Sequence, residues 1–214
     1  MKKIAIYGAG GFGKEVASTI MIINKQNPTW NLIGFYDDGI EKGTAISHFG
    51  KVLGGMEDLN SYGEPLCVAI AIGHPQTLRV VRNKITNPNI SFPNIIFEPF
   101  GKADEKTFHI GEGNIIQGGC WASFNVSIGN FNVLNGMVIL GHDVKIGDFN
   151  CIMPDVRVSG EVTIGEENLL GVRSLVMQQI KIGKQIQLAP GAVLLTKPKD
   201  GHTYIGNPAK LFKF

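Results

Sequence analysis

From Ile110 to Leu194 every sixth residue is aliphatic: Ile110, Ile116, Ala122, Ile128, Leu134, Leu140, Ile146, Ile152, Val158, Ile164, Leu170, Val176, Ile182, Leu188 and Leu194. A period of six belongs neither to a helix nor to an isolated strand. Ile-Gly recurs in the same phase, at Ile110-Gly111, Ile128-Gly129, Ile146-Gly147, Ile164-Gly165 and Ile182-Gly183, always eighteen apart. Three hexads per eighteen residues predict a three-sided coil. Each side carries a short strand with one aliphatic residue inward, and each corner carries a turn. Coils stack at the ordinary strand spacing of about 4.8 Å, so each coil buries its neighbour's core. Gly after Ile suits a corner that needs positive φ. Asn114, Asn132, Asn150 and Asn168 repeat at the same interval, and Asn also tolerates left-handed backbone.

The first half of the chain has a different rhythm. Lys3 to Tyr7 reads as a short buried strand. Gly8-Ala9-Gly10-Gly11-Phe12-Gly13 follows, then helical character from Lys14 to Ile23. Strand, glycine turn and helix together carry the Gly-x-Gly-x-x-Gly spacing. There glycines let a phosphate approach the backbone, and the helix N-terminus offers free N–H donors. A tight ligand-free connection is the plain alternative. Asn31 to Tyr36 reads as a second strand ending at Asp37-Asp38, where a carboxylate can accept from a ribose or base edge. Lys51 to Asn60 is a loop and short helix, Leu66 to Ile72 a third strand, Thr77 to Thr86 a helix and Ser91 to Phe97 a further strand. Residues 1–98 thus form a small Rossmann-like α/β domain with a parallel sheet. It lacks a second mononucleotide half, which favours a mononucleotide or sugar nucleotide over NAD. Residues 99–214 hold the coils and a tail that closes them.

Composition narrows the partners. A net charge of +2 over 214 residues gives no electrostatic case for nucleic acid or a membrane surface. No stretch is long enough to span a bilayer. Cys67, Cys120 and Cys151 have no metal spacing and leave one unpaired, which reads as reduced thiols in a cytoplasm. His142, in Leu140-Gly141-His142-Asp143, is the best candidate for chemistry. The coil phase puts Leu140 inward and His142 at a corner. Asp143 beside it can hold the imidazole as a general base. A surface His beside a surface Asp is the plain alternative. His74 ends a sheet strand, where capping is as good a reading as binding. Cys151 reads as a buried, inert thiol. His109 and His142 do not pair at ligand spacing, so no metal site is expected.

The six-residue period with Ile-Gly every eighteen residues resembles the left-handed β-helix of hexapeptide-repeat acyltransferases. The opening Ile-Tyr-Gly-Ala-Gly-Gly-Phe-Gly-Lys-Glu, the Gly34-Phe35-Tyr36-Asp37-Asp38 segment, Leu140-Gly141-His142-Asp143 and the closing Gly-Asn-Pro-Ala-Lys resemble the sialic-acid-type sugar O-acyltransferase family. That family includes bacterial nucleotide-amino-sugar N-acetyltransferases of the bacillosamine-pathway type. The resemblance implies a homotrimer, with acetyl-CoA as co-substrate between neighbouring β-helices. It implies a sugar nucleotide held by the N-terminal domain. Gly8, Gly10, Gly11 and Gly13 would approach its phosphates or ribose, and Asp37 and Asp38 its base or ribose. His142 would be the general base, tuned by Asp143, and a backbone N–H near Gly160 the oxyanion donor. Val172, Ala189, Gly191, Pro208 and Lys210 would line the CoA groove. Two places depart from the family. A second histidine nine residues after the base is Cys151 here, and an Ile-His-Pro join is Phe97-Glu98-Pro99.

The expected function is acetyl-CoA-dependent acetylation of the amino group of a nucleotide-linked amino sugar, for surface glycan synthesis. O-acetylation of a sialic acid, another sugar or serine is the alternative. A nicotinamide-binding regulatory protein and a non-catalytic scaffold are the rivals from other classes.

Overall fold

The computed structural model describes residues 1–212. Strands β1 (Lys2–Tyr7), β2 (Trp30–Tyr36), β3 (Val52–Gly54), β4 (Leu66–Ile70) and β5 (Ile90–Ser91) alternate with helices α1 (Gly11–Gln26), α2 (Met56–Asn60) and α3 (Pro75–Lys84). The strands pair in parallel in the order β3-β2-β1-β4-β5. The order reverses between β1 and β4, so the loops after those strands flank a switch-point crevice.

The rest of the described chain is a three-sided parallel β-helix. Its first face holds Ile95–Ile96, Ile115–Ile116, Val133–Leu134, Cys151–Ile152, Leu169–Leu170, Gln187–Leu188 and Thr203–Ile205. The second holds Gly101–Lys102, Trp121–Ala122, Ile139–Leu140, Arg157–Val158, Leu175–Val176 and Val193–Leu194. The third holds His109–Ile110, Ser127–Ile128, Lys145–Ile146, Thr163–Ile164 and Lys181–Ile182. Partners on the second and third faces above residue 109 stand eighteen apart, as in Ser127 with Lys145 and Ile128 with Ile146. The sixth-residue set points inward as expected. All its members are buried except Ile110, which is half-buried and packs against the same core.

The corners correct one expectation. Left-handed backbone falls three residues after each inward aliphatic from Ala122 to Ile182, at Asn125, Phe131, Met137, Asp143, Phe149 and their successors to Gln185, with φ between 53° and 66°. Neither the Ile-Gly glycines nor Asn114, Asn132, Asn150 and Asn168 adopt positive φ. The glycines are needed for space. A Cβ on Gly165 would lie 2.3 Å from the Gly183 carbonyl oxygen of the next coil. The asparagines form a wholly buried ladder at the corner between the third and first faces. Asn132 Nδ2 donates to Asn114 Oδ1 at 3.1 Å and to the Gly147 carbonyl at 2.9 Å, and its backbone N–H donates to Asn114 Oδ1. Asn150 and Asn168 repeat these bonds. The ladder starts on Asn94 and ends where Asn168 accepts from the Ile186 N–H. Burying an amide in this way is tolerable only because its donors and acceptor are all used.

The join also differs in detail. Ser91 to Phe97 is not one strand. Ile90–Ser91 closes the sheet, and Ile95–Ile96 already pairs with Ile115–Ile116 as the first rung of the coil. At the other end, Thr203–Ile205 adds a rung to the first face. Lys210–Leu211 then folds back antiparallel on it. Phe100 and Phe108 plug the opposite end, edge to face at 5.4 Å with Lys102 over both rings.

The first face carries the N-terminal domain. Its doublets from Ile95–Ile96 to Leu169–Leu170 are apolar at both positions: Ile-Ile, Val-Leu, Cys-Ile, Leu-Leu. The inward member fills the coil. The outward members Ile115, Val133 and Cys151 are buried among Ile4, Tyr7, Leu78 and other residues of the sheet domain. Helix α3 clamps the adjoining corner. Arg79 lies over Phe149 at 4.9 Å, pairs with Glu166 and reaches Glu167 at 2.9 Å. Arg82 covers Phe92 and Phe131.

Candidate active site

The glycine turn sits at the crevice between β1 and β4, and its glycines have separate reasons. Gly8 has φ +105°, and a Cβ there would meet the Ala71 carbonyl oxygen at 2.7 Å. Gly13 lets α1 close onto the turn, since a Cβ would lie 2.0 Å from the Gly8 oxygen. Gly10 and Gly11 face nothing within 4 Å. They leave the first turn of α1 open, with Gly10 at the N-cap and no side-chain cap. Uncapped N–H groups at a helix start suit an anion.

Asp37 and Asp38 are tied to the protein's own framework. Asp37 accepts from the Ala9 N–H and the Gly39 N–H, each at 2.8 Å. Asp38 accepts from the Tyr7 hydroxyl at 2.7 Å and the Met56 N–H at 2.8 Å. Burial, then the bond to Asp38, pushes the Tyr7 phenol well above its ordinary value. The two carboxylates therefore pin the glycine turn and the start of α2. A second lone pair on each oxygen is left for a ligand. Both line an open cavity of about 400 Å³ with Lys42, Gly54 and Glu57.

His142 stands at the corner between the second and third faces, about half exposed. Its Nδ1 lies 2.8 Å from Asp143 Oδ2. With the Nδ1 proton given to the carboxylate, the lone pair falls on Nε2. The ring lies across Gly160, where a Cβ would meet Nε2 at 2.4 Å. Any side chain at position 160 would displace the imidazole. The Gly160 N–H has no backbone partner among the described residues. Asp143 sits at φ 58° and accepts from Asn125 Nδ2 at 2.6 Å. Asn125 first and His142 second hold its carboxyl below the usual range.

The CoA-groove candidates fall on another edge. Val172, Ala189 and Gly191 lie at the corner between the first and second faces, while Gly160 lies with His142 beyond the second face. Val172 and Ala189 line an apolar cavity of about 390 Å³ with Met153, Leu169, Leu188 and Pro190, against Gly73 of the sheet domain. Pro208 precedes the antiparallel strand that holds Lys210, and the neighbouring Ala209 N–H donates to the Val193 carbonyl. The first-corner set and the His142 corner are thus separated by the width of one face.

The remaining candidates are structural. His74 is the N-cap residue of α3, with Nδ1 3.2 Å from Thr77 Oγ1. Cys151 is fully buried beneath the sheet domain, and burial pushes its thiol to about 12. Among the described residues no group of three or more His, Cys, Asp or Glu side chains could hold a metal ion.

A phosphate-type turn on a parallel sheet, joined to hexapeptide coils with a His–Asp corner, defines a hexapeptide-repeat acyltransferase. Residues 3–85 match the PglD N-terminal domain. No curated protein matches the chain. The acetyltransferase domain of PglB from Neisseria gonorrhoeae FA1090, in complex with acetyl coenzyme A, superposes with a TM-score of 0.87 at 26% identity, covering 99% of each chain. WeeI from Acinetobacter baumannii AYE gives 0.87 at 26% identity over 99% of this chain and 100% of its own. PerB from Caulobacter crescentus, in complex with CoA and GDP-perosamine, shares the fold at 0.83 and 22% identity over 100% of this chain and 98% of its own. The chain shares the two-part fold of these structures over nearly its full length, a parallel-sheet domain followed by coils consistent with a left-handed β-helix of hexapeptide repeats.

Proposed function

We propose that this protein transfers acetyl from acetyl-CoA to the amino group of a nucleotide-linked amino sugar. The observation that supports this reading is the presence in one chain of an open glycine cradle and a free His142 Nε2. The likeness to the PglB domain, solved with acetyl coenzyme A, extends over 99% of the chain. Gly8, Gly10, Gly11 and Gly13 form the cradle for the sugar nucleotide, with Asp37 and Asp38 beside its ribose or base. The neutral amine attacks the thioester carbonyl. The new C–N bond forms as His142 Nε2 takes the amine proton, and the C–S bond then breaks to release CoA thiol. The Gly160 N–H is the donor for the oxyanion between those steps. No acyl-enzyme forms.

The assembly in this reading is a homotrimer. The second face presents Trp121, Ile139, Arg157, Leu175 and Val193 outward, and along its length Trp121, Phe124, Met137, Met177 and Leu195 are exposed. Packing that face against a neighbour would bring the His142 corner of one copy towards Val172, Ala189 and Gly191 of the next. Acetyl-CoA would lie between them, with Pro208 and Lys210 at its end. Among the described residues no helix is long and apolar enough to cross a membrane. Three unpaired cysteines agree with a reducing cytoplasm, where activated sugars for surface glycans are assembled.

The test is thiol release from acetyl-CoA with a panel of UDP-, dTDP- and GDP-linked amino sugars. His142→Ala is expected to lower kcat by about a thousandfold with an unchanged fold by circular dichroism. Undiminished turnover in that variant would remove the mechanism. Thiol release with hydroxyl acceptors and none with amines would transfer the assignment to sugar O-acetylation.

A further inference from the structure

We propose that Asn125 is a positioning residue for this reaction, holding the Asp143 carboxylate in the orientation that engages His142. The proposal rests on the acetyl-transfer reading above. It starts from a difficulty. Asp143 is 42% exposed, and an exposed carboxylate on a short side chain turns freely between rotamers. One hydrogen bond to an imidazole that is itself half exposed does not fix either group.

Asn125 supplies the second point. It occupies the same corner one coil below, and its Nδ2 donates to Asp143 Oδ1 at 2.6 Å. The other oxygen, Oδ2, lies 2.8 Å from His142 Nδ1. With both oxygens engaged, the carboxylate plane is set, and with it the tilt of the ring over Gly160. Asn125 is anchored in turn. Its backbone N–H donates to Thr107 Oγ1 at 3.0 Å, and that hydroxyl donates to Asp104 Oδ2 at 2.9 Å. A chain of polar contacts therefore climbs the corner from Asp104 to His142.

The residue type fits the place. Position 125 has φ 55°, which Asn accepts more readily than most residues. It also needs a donor, because its target is an anion. The charged neighbours are Lys145, which favours the ionised Asp143, and Glu161, whose backbone N–H bonds the His142 carbonyl. Higher on the corner the Gln178 and Gln179 amides grip Glu161, each at 3.1 Å. That pair has the same form, but no histidine meets its carboxylate. Among the described residues, only at position 143 does the corner's amide–carboxylate pair end on a base.

The test is a double-mutant cycle read in steady-state kinetics. Asn125→Ala is expected to lower kcat about tenfold, with both KM values within about twofold of the parent. In an Asp143→Ala background the same change should cost nothing further, because the group it positions is gone. Asn125→Asp is nearly isosteric and suited to φ 55°; it replaces the donor with a second anion facing Asp143 and should lower kcat at least as far. An unchanged kcat in Asn125→Ala, an equal loss in both backgrounds, or a loss confined to KM would each overturn the proposal. The reading beneath it fails separately. A His142→Ala enzyme with normal turnover removes both, whereas an inactive His142→Ala enzyme beside an unaffected Asn125→Ala enzyme removes the role of Asn125 alone.

Discussion

At the corner between the third and first faces, the residues after left-handed positions 113, 131, 149 and 167 are Asn114, Asn132, Asn150 and Asn168, and all four are buried. At the corner between the second and third faces, the same place holds Val126, Val144, Val162 and Ile180. The backbone is the same at both, with Phe131 at φ 53° and Asp143 at φ 58°. The asparagine corner turns its polar groups inward, where they bond from coil to coil. Its outer side is covered by α3, whose Arg79 and Arg82 lie over Phe149 and Phe131, stacked at 5.3 Å, and whose Arg79 also pairs with Glu166 and Glu167. The histidine corner does the reverse. Valines fill the interior, and Asn125, His142, Asp143 and Glu161 stand outside. A repeat supplies one geometry many times. Which corner holds the coils together and which can act on a ligand depends on the direction in which each spends its polar side chains.

Exchanging the two solutions is the strongest challenge to that contrast. Asn132→Val puts the histidine corner's residue into the ladder. It strands the Asn150 N–H and the Gly147 carbonyl, so we expect a loss of about 3 kcal/mol in denaturant unfolding despite the added apolar volume. A neutral outcome would mean that the ladder is incidental to stability. Next in size is Gly165→Ala. Its Cβ would press on the Gly183 carbonyl, and separating the coils there is expected to cost about 2 kcal/mol, visible as a lowered midpoint. If positive φ were the reason for these glycines, substitution by Asn would be tolerated; a crowded site rejects Asn more strongly than Ala. The smallest effect is expected at the clamp. Arg79→Ala removes a partly exposed ion pair and a cation–π contact, and should cost about 1 kcal/mol in thermal unfolding.

Much of the architecture was legible in the sequence. Fifteen aliphatic residues in one phase defined the coil, its three sides and its inward column. The glycine turn placed the sheet domain, and the corner position of His142 followed from the phase of Leu140. The reasons for the glycines and asparagines were misread. A local period states where a residue lies in its own hexad. The need for Gly165 arises from Gly183, and the bonds of Asn132 from Asn114 and Gly147, on other coils. Two signals were present and unused. Doublets apolar at both positions occur on the first and second faces and on no rung of the third, which marked those two faces as the ones to be covered on the outside. Asn125 and Asp143 stand one full coil apart, the separation at which side chains on a corner meet. The end of the sheet was lost for a simpler reason. Ser91 to Phe97 has strand character throughout, and only pairing divides Ile90–Ser91 from Ile95–Ile96.

The antiparallel strand at Lys210–Leu211 has a consequence for how copies meet. A parallel β-helix shows an open edge at each end, and an open edge recruits strands from other molecules. Here the rung Thr203–Ile205 is already paired with a strand running the opposite way. The bottom rung of a second molecule, directed like all the others, meets the wrong polarity there. At the opposite end it would meet Phe100 and Phe108 instead of a bare core. Head-to-tail growth into fibres is therefore discouraged at both ends. The two ends of the coil are thereby closed to further strands, and its sides are what remain for contact.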